Sequence, residues 1–178
     1  MGFGDINYYN EYYGVKKQAS RTILTPNVDK LGRSGVSFTQ AYAAPVCAPS
    51  RCTLMTGKHT GHCTVRQNDQ THIRKEEPTV ASELSKIGYE TALFGKWGLG
   101  GAKTDGYPLA KGFDIYYGQV SQSNCHNYYP VLMYNQSNKT YIKENIGASR
   151  LTCGFDLEQC VWSGDLWTDK AIEFIENR

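Results

Sequence analysis

The chain has 178 residues, of which 40% are hydrophobic and 20% charged, with a formal net charge of +2. That is enough for one ordinary domain with a real core, and too small a charge to argue for a nucleic-acid partner. No apolar run approaches the roughly 20 residues of a membrane span, and Met1 leads straight into Gly-Phe-Gly-Asp without the basic region or apolar stretch of a secretory signal.

Residues 6–24 are rich in Tyr and Asn, aperiodic, and read as a loop. Thr25-Pro26 predicts a helix start, with Thr as N-cap and Pro at the first helical position, and Gly35 marks the end. Alternation over 36–43 predicts a short strand leading into 45–57, Pro-Val-Cys-Ala-Pro-Ser-Arg-Cys-Thr-Leu-Met-Thr-Gly. There Pro49, tolerated in a first turn, marks a helix beginning at Cys47. The polar loop that follows carries His59, His62 and Cys63, which lack a fourth ligand and a standard zinc spacing, so a surface or disulfide role is expected. Pro78-Thr79 opens another helix, with Val80, Leu84 and Ile87 on one face and Gly88 past its end. Residues 89–94 read as a buried strand ending at Gly95-Lys96. The strand, helix, strand alternation predicts an α/β domain with a mainly parallel central sheet.

Residues 98–112 are Gly-rich and loop-like, and 113–117 form a short apolar segment. Residues 131–134 and 139–143, joined by Asn-Gln-Ser-Asn, predict a hairpin. A terminal helix begins near Ser163 or Asp165 with Trp167, Ala171, Phe174 and Ile175 on one face. Six cysteines (47, 52, 63, 125, 153, 160) and two Asn-x-Ser/Thr sequons at Asn135 and Asn138 lean towards a secretory-pathway protein, with N-glycosylation expected at the sequons. If Cys47 is reserved for chemistry, five cysteines remain, so at least one stays free or pairs outside the chain. Cys153 and Cys160 are close enough to close a small loop.

Cys47 and Arg51 lie about one helical turn apart and project from the same face. Free N–H groups and the positive dipole end at a helix N-terminus lower a cysteine's pKa and attract an anion such as sulfate or phosphate. Arg51 adds a planar fork of donors suited to a tetrahedral oxyanion. These residue types describe an anion-transfer site; an isolated Cys-x-Pro-x-Arg describes a buried cysteine before a core helix equally well. In an open α/β sheet, sites gather at the carboxyl ends of strands, and both Cys47 and Lys96 fall at such ends.

The longer string resembles the signature of the formylglycine-dependent sulfatases, a Cys-x-Pro-Ser-Arg core followed by a hydrophobic pair and Thr-Gly, here Leu54, Met55, Thr56 and Gly57. Gly-Tyr-Glu-Thr-Ala-Leu-Phe-Gly-Lys-Trp at 88–97 resembles the second sulfatase signature, and Thr-Pro-Asn-x-Asp-x-Leu from Thr25 is similar to a third family segment. His-Asn-Tyr-Tyr-Pro from His126 resembles a stretch that lies near the substrate pocket in arylsulfatase-like members. The resemblance implies an alkaline-phosphatase-like sulfatase fold, with 1–178 as an N-terminal portion of the catalytic domain whose first strand and C-terminal part are missing. Asp5 corresponds to a later family aspartate and is not expected to bind metal. The two aspartates that precede this point in the family, both calcium ligands, are absent.

The implied reaction is sulfate ester hydrolysis. Cys47 would be converted by a formylglycine-generating enzyme, and the hydrated aldehyde would attack sulfur and then eliminate sulfate. Arg51 would orient the hydrate, and Lys96 would bind sulfate oxygens and stabilise the leaving group. His126 would face the substrate, a sulfated small molecule or glycan. Calcium would bind the converted Cys47 together with ligands outside the chain. Many relatives have histidine where this chain has Gly98, which leaves the proton acceptor unassigned. The fragment alone is expected to be inactive. A phosphate or phosphonate ester hydrolase of the same superfamily and a noncatalytic glycan-binding module remain as alternatives. The expected location of the parent is the secretory pathway, lysosomal or extracellular, or the periplasm.

Overall fold

The structure, a computed structural model, describes residues 5–14, 23–69, 71–147, 153 and 160–178. The chain divides into two units, residues 1–42 and 43–178.

The first unit contains helices α1 (Asn7–Tyr12) and α2 (Pro26–Ser34). Helix α1 falls inside the segment expected to be a loop, and the reason is not local. The first N–H groups of a helix have no intrahelical acceptor. Here the Asn7 N–H donates to Thr25 Oγ1 at 3.1 Å and the Tyr8 N–H to Asp29 Oδ1 at 2.9 Å. Residues at the start of α2 therefore cap α1. Gly32 lets the helices approach, since a Cβ there would lie 2.9 Å from Cγ of Tyr8. Helix α2 begins at Thr25-Pro26 as expected, but Thr25 Oγ1 donates to Asp29 Oδ1 at 2.8 Å and accepts from Asn7 of α1 rather than from an N–H of its own helix. The strand expected over 36–43 does not form: Val36 and Tyr42 are 83% and 89% exposed, and no ladder partner lies beside them among the described residues. Alternation makes a strand only where a neighbouring edge takes up its N–H and C=O groups.

The second unit is built on a four-stranded sheet in the order β1 (Ala92–Lys96), β2 (Ile115–Gln119), β3 (Leu132–Asn135) and β4 (Asn138–Tyr141). Strands β1 and β2 run parallel, with Lys96 opposite Gln119; β2–β3 and β3–β4 are antiparallel. The predicted hairpin is β3–β4, turning through Gln136 at φ +56. Strand β1 begins later than expected and is half-buried rather than buried. The architecture is α/β, with one parallel pair among the described strands.

Helices also belong to this unit. Helix α3 (Cys47–Thr56) starts at the predicted residue and ends at Gly57 in the left-handed region. Helix α4 (Val80–Lys86) has Thr79 and Ser82 as a capping box. Its predicted apolar face is corrected: Val80 and Ile87 are exposed and the helix buries Ala81 instead. What anchors α4 is polar, Thr79 Oγ1 donating to the Lys111 carbonyl at 2.5 Å. Helix α5 (Ser163–Glu176) lies on β1, where Phe174 meets Phe94 at 5.9 Å and the Trp167 ring covers Gly95. The core gathers Ala48 and Cys52 of α3 with Val65, Ile73, Trp97, Leu99 and Tyr116. Trp97 is fully buried and its indole N–H donates to the Gly106 carbonyl at 2.7 Å; truncating such a side chain typically costs about 3–5 kcal/mol.

Cys153 and Cys160 form the expected disulfide, and Cys47, Cys52, Cys63 and Cys125 are free. The expectation of a surface or disulfide role for Cys63 is corrected: it is a fully buried thiol donating to the Val65 carbonyl at 3.2 Å.

Candidate active site

Val46 is extended at φ −134, ψ 167, and the chain turns into α3 at Cys47, the first helical residue. This leaves the amides of the first turn without helical acceptors. The Ala48 N–H is taken by Asn68 Oδ1 at 3.0 Å, while Asn68 Nδ2 donates to Cys47 Sγ at 3.3 Å. A second amide reaches the same sulfur, for Gln122 Nε2 also donates to Cys47 Sγ. Burial opposes ionisation of this thiol. The Asn68 hydrogen bond and the Lys96 charge outweigh it and hold Cys47 below the usual thiol range. Strand β1 thus delivers Lys96, from its carboxyl end, to the cysteine at the helix N-terminus; Cys47 itself, expected at a strand end, follows no strand, since none forms over 36–43.

Arg51 does something the one-turn spacing did not foretell. Its Nε donates to the Trp97 carbonyl at 2.5 Å and its Nη2 to the Lys96 carbonyl. The guanidinium clamps α3 to the end of β1 and so fixes Cys47 and Lys96 relative to each other. Cys125 lies on the buried side of the site; burial pushes its thiol up to about 11, with the Lys96 and Arg51 charges acting in the opposite direction.

A cavity of about 500 Å³ opens beside these groups, lined by Asn68, Asp69, Gly98, Gln122 and His126 among others. His126 therefore shares a wall with two residues that touch Cys47. Asn135 and Asn138 are exposed at opposite ends of the hairpin turn. Sequence reading missed Asn68 and Gln122. Both sit in polar loops without a motif of their own, and the one available signal was Gly98, a missing side chain whose space some other residue had to fill.

The sulfatase family model matches residues 5–177. The chain belongs to the sulfatase family. Among curated sulfatases it is 31% identical to mouse arylsulfatase J over 173 residues, covering 93% of this chain and 25% of that protein. It is 36% identical to human steryl-sulfatase over 146 residues, covering 73% of this chain and 23% of that one. Among solved structures, the PsFucS1 sulfatase from Pseudoalteromonas sp. superposes with a TM-score of 0.64 at 25% identity, over 99% of this chain and 38% of that one. BT4656, solved in complex with its substrate D-glucosamine-2-N,6-O-disulfate, gives 0.63 at 26% identity, over 88% and 27%. The chain spans about a quarter of the length of the curated sulfatases it matches.

The neighbours of Cys47 Sγ are the Asn68 and Gln122 amides and the Lys96 charge, and among the described residues no group of three or more His, Cys, Asp or Glu side chains is arranged around a metal position.

Proposed function

We propose that the protein to which this chain belongs hydrolyses sulfate esters at residue 47, with sulfated sugars as the favoured substrate class. The observation that carries the reading is Cys47 itself: a free, half-exposed cysteine at a helix N-terminus, hydrogen-bonded by Asn68, biased towards ionisation by Lys96, and set beside a cavity. Converted to formylglycine, residue 47 supplies a hydrated aldehyde as the nucleophile. Asn68 ties that position to the Ala48 amide, so the nucleophile and the helix N-terminus move as one unit.

Lys96 supplies positive charge where sulfate oxygens and the departing alcohol gain negative charge, an effect strongest where water is excluded. Arg51, engaged with the Trp97 and Lys96 carbonyls, acts by holding α3 against β1. A calcium ion would be held by the converted residue 47 together with ligands outside this chain and would polarise the sulfate. The sugar preference rests on the cavity wall, where Asp69, Ser121, Ser123 and His126 offer hydrogen bonds to a polyhydroxylated alcohol. It is in keeping with the glucosamine disulfate bound by BT4656. The disulfide and the exposed sequon asparagines favour a secretory-pathway location, where a formylglycine-generating enzyme would act on the chain.

The test is mass spectrometry of the tryptic peptide 34–51 from the full-length protein expressed in its own host, followed by turnover on an aryl sulfate, an aryl phosphate and a sulfated monosaccharide. The expected result is a mass lowered by the thiol-to-aldehyde change and cleavage of sulfate in preference to phosphate. An unmodified Cys47 sinks the reading, and faster cleavage of phosphate reassigns the site to phosphate esters.

A further inference from the structure

Gly98 and Gln122 share one volume. Gly98 has φ +73, and a Cβ built on it would overlap Gln122 Oε1 and stand 3.4 Å from Lys96 Cε. The glutamine side chain occupies that gap, and its Nε2 donates to Cys47 Sγ. Asn68 sets the direction of the amide. Asn68 Oδ1 accepts from the Ala48 N–H at 3.0 Å and lies 3.4 Å from Gln122 Nε2, so the glutamine nitrogen, not its oxygen, faces this acceptor and the thiol. The other end, Oε1, is buried and has no hydrogen-bond partner among the described residues. Buried carbonyl oxygens are rarely left this way, and those that are need a reason.

We infer that Gln122 is a catalytic residue of this site, the neutral hydrogen-bonding group that holds the nucleophilic atom of residue 47, and that position 98 is glycine because Gln122 needs its side-chain volume. The inference rests on the sulfatase reading, in which Cys47 Sγ stands in for the nucleophilic oxygen of the converted residue. Nε2 donates to that atom as negative charge develops on it. Oε1 is left as an acceptor for a proton-bearing group of the substrate or of the converted residue. An amide neither gains nor loses a proton near neutral pH, so this contact orients the nucleophile without adding a titration to the rate.

The test uses the full-length protein, with aldehyde content at residue 47 measured in every variant. Gln122→Ala should lower kcat on an aryl sulfate by roughly 100-fold, the scale of losing one preorganised donor, with KM changed little. Gln122→Glu should add a new alkaline fall in activity, because a protonated carboxyl can donate to the nucleophile and a carboxylate cannot. Melting temperature reads the contact without turnover. Gly98→Ala should lower Tm more in the presence of Gln122 than in the Gln122→Ala background, since the added methyl meets Oε1 only in the first case. The loss common to both backgrounds is the strain of a side chain at positive φ. A wild type that turns over beside an equally active Gln122→Ala, or Tm losses that simply add, overturns the inference and leaves the sulfatase reading standing. A wild type without aldehyde and without turnover overturns both, and shows itself before any variant is made.

Discussion

Cys47 and Cys52 stand on the same ten-residue helix, one in its first turn and one past its middle. Cys47 is half-exposed and touched by two side-chain amides, and its thiol sits below the usual range because Asn68 and Lys96 outweigh the burial that opposes ionisation. Cys52 is fully buried in the core with Cys63 and Val65 nearby, and burial pushes its thiol up. The helix supplies the difference only in part. Its N-terminus leaves N–H groups and a positive dipole end beside Cys47, whereas the backbone around Cys52 is already satisfied. The remainder comes from what each position meets: polar loops and a lysine at one, apolar side chains at the other.

The comparison is sharpened most by exchanging the roles of the two cysteines. In the full-length protein Cys47→Ala should abolish turnover, a loss of at least about 10⁴-fold, while Cys52→Ala should leave the activity of each folded molecule near wild type; assays on aryl sulfate normalised to folded protein decide it. Next in size is Lys96→Met, expected to lower kcat by roughly 100-fold through loss of charge stabilisation. In the unconverted cysteine form the same change should raise the pH midpoint of Cys47 alkylation and leave the slow reaction of Cys52 unmoved.

Stability should show the reverse ranking of the two cysteines. Cys52→Ser places a hydroxyl among core side chains and should cost about 1–3 kcal/mol in denaturant unfolding; Cys47→Ser should stay within about 0.5 kcal/mol. The smallest effect is a matter of rate. In the unconverted form iodoacetamide should label Cys47 first, with a midpoint below the ordinary thiol value, because a lowered pKa leaves more thiolate at any given pH, and it should spare Cys52, Cys63 and Cys125 until unfolding. Equal labelling of Cys47 and Cys52 in the folded protein would erase the contrast.

How far the sequence could be read depended on the range of the interaction. The start of α3 at Cys47, the β3–β4 hairpin and the Cys153–Cys160 bridge rest on residues a few positions apart, and each was legible. Helix α1 was not, because Thr25 and Asp29 cap it from 18 and 21 residues away. Arg51 was placed on the correct turn but with the wrong partners, since its carbonyl acceptors lie 45 and 46 residues further along the chain. The face of α4 was misjudged because an apolar stripe reports which side could be buried, whereas the polar tie from Thr79 to Lys111 set which side was.

By itself the sequence determined the α/β class, the family, and the cysteine and lysine on which the proposed chemistry turns, because these are written in short motifs and local periodicity. The tertiary structure decided what surrounds that cysteine. Asn68 and Gln122 come to Cys47 from 21 and 75 residues away, and Gln122 does so through the gap at Gly98. No local propensity specifies such contacts; they exist only once the sheet has set the path of the loops that carry them.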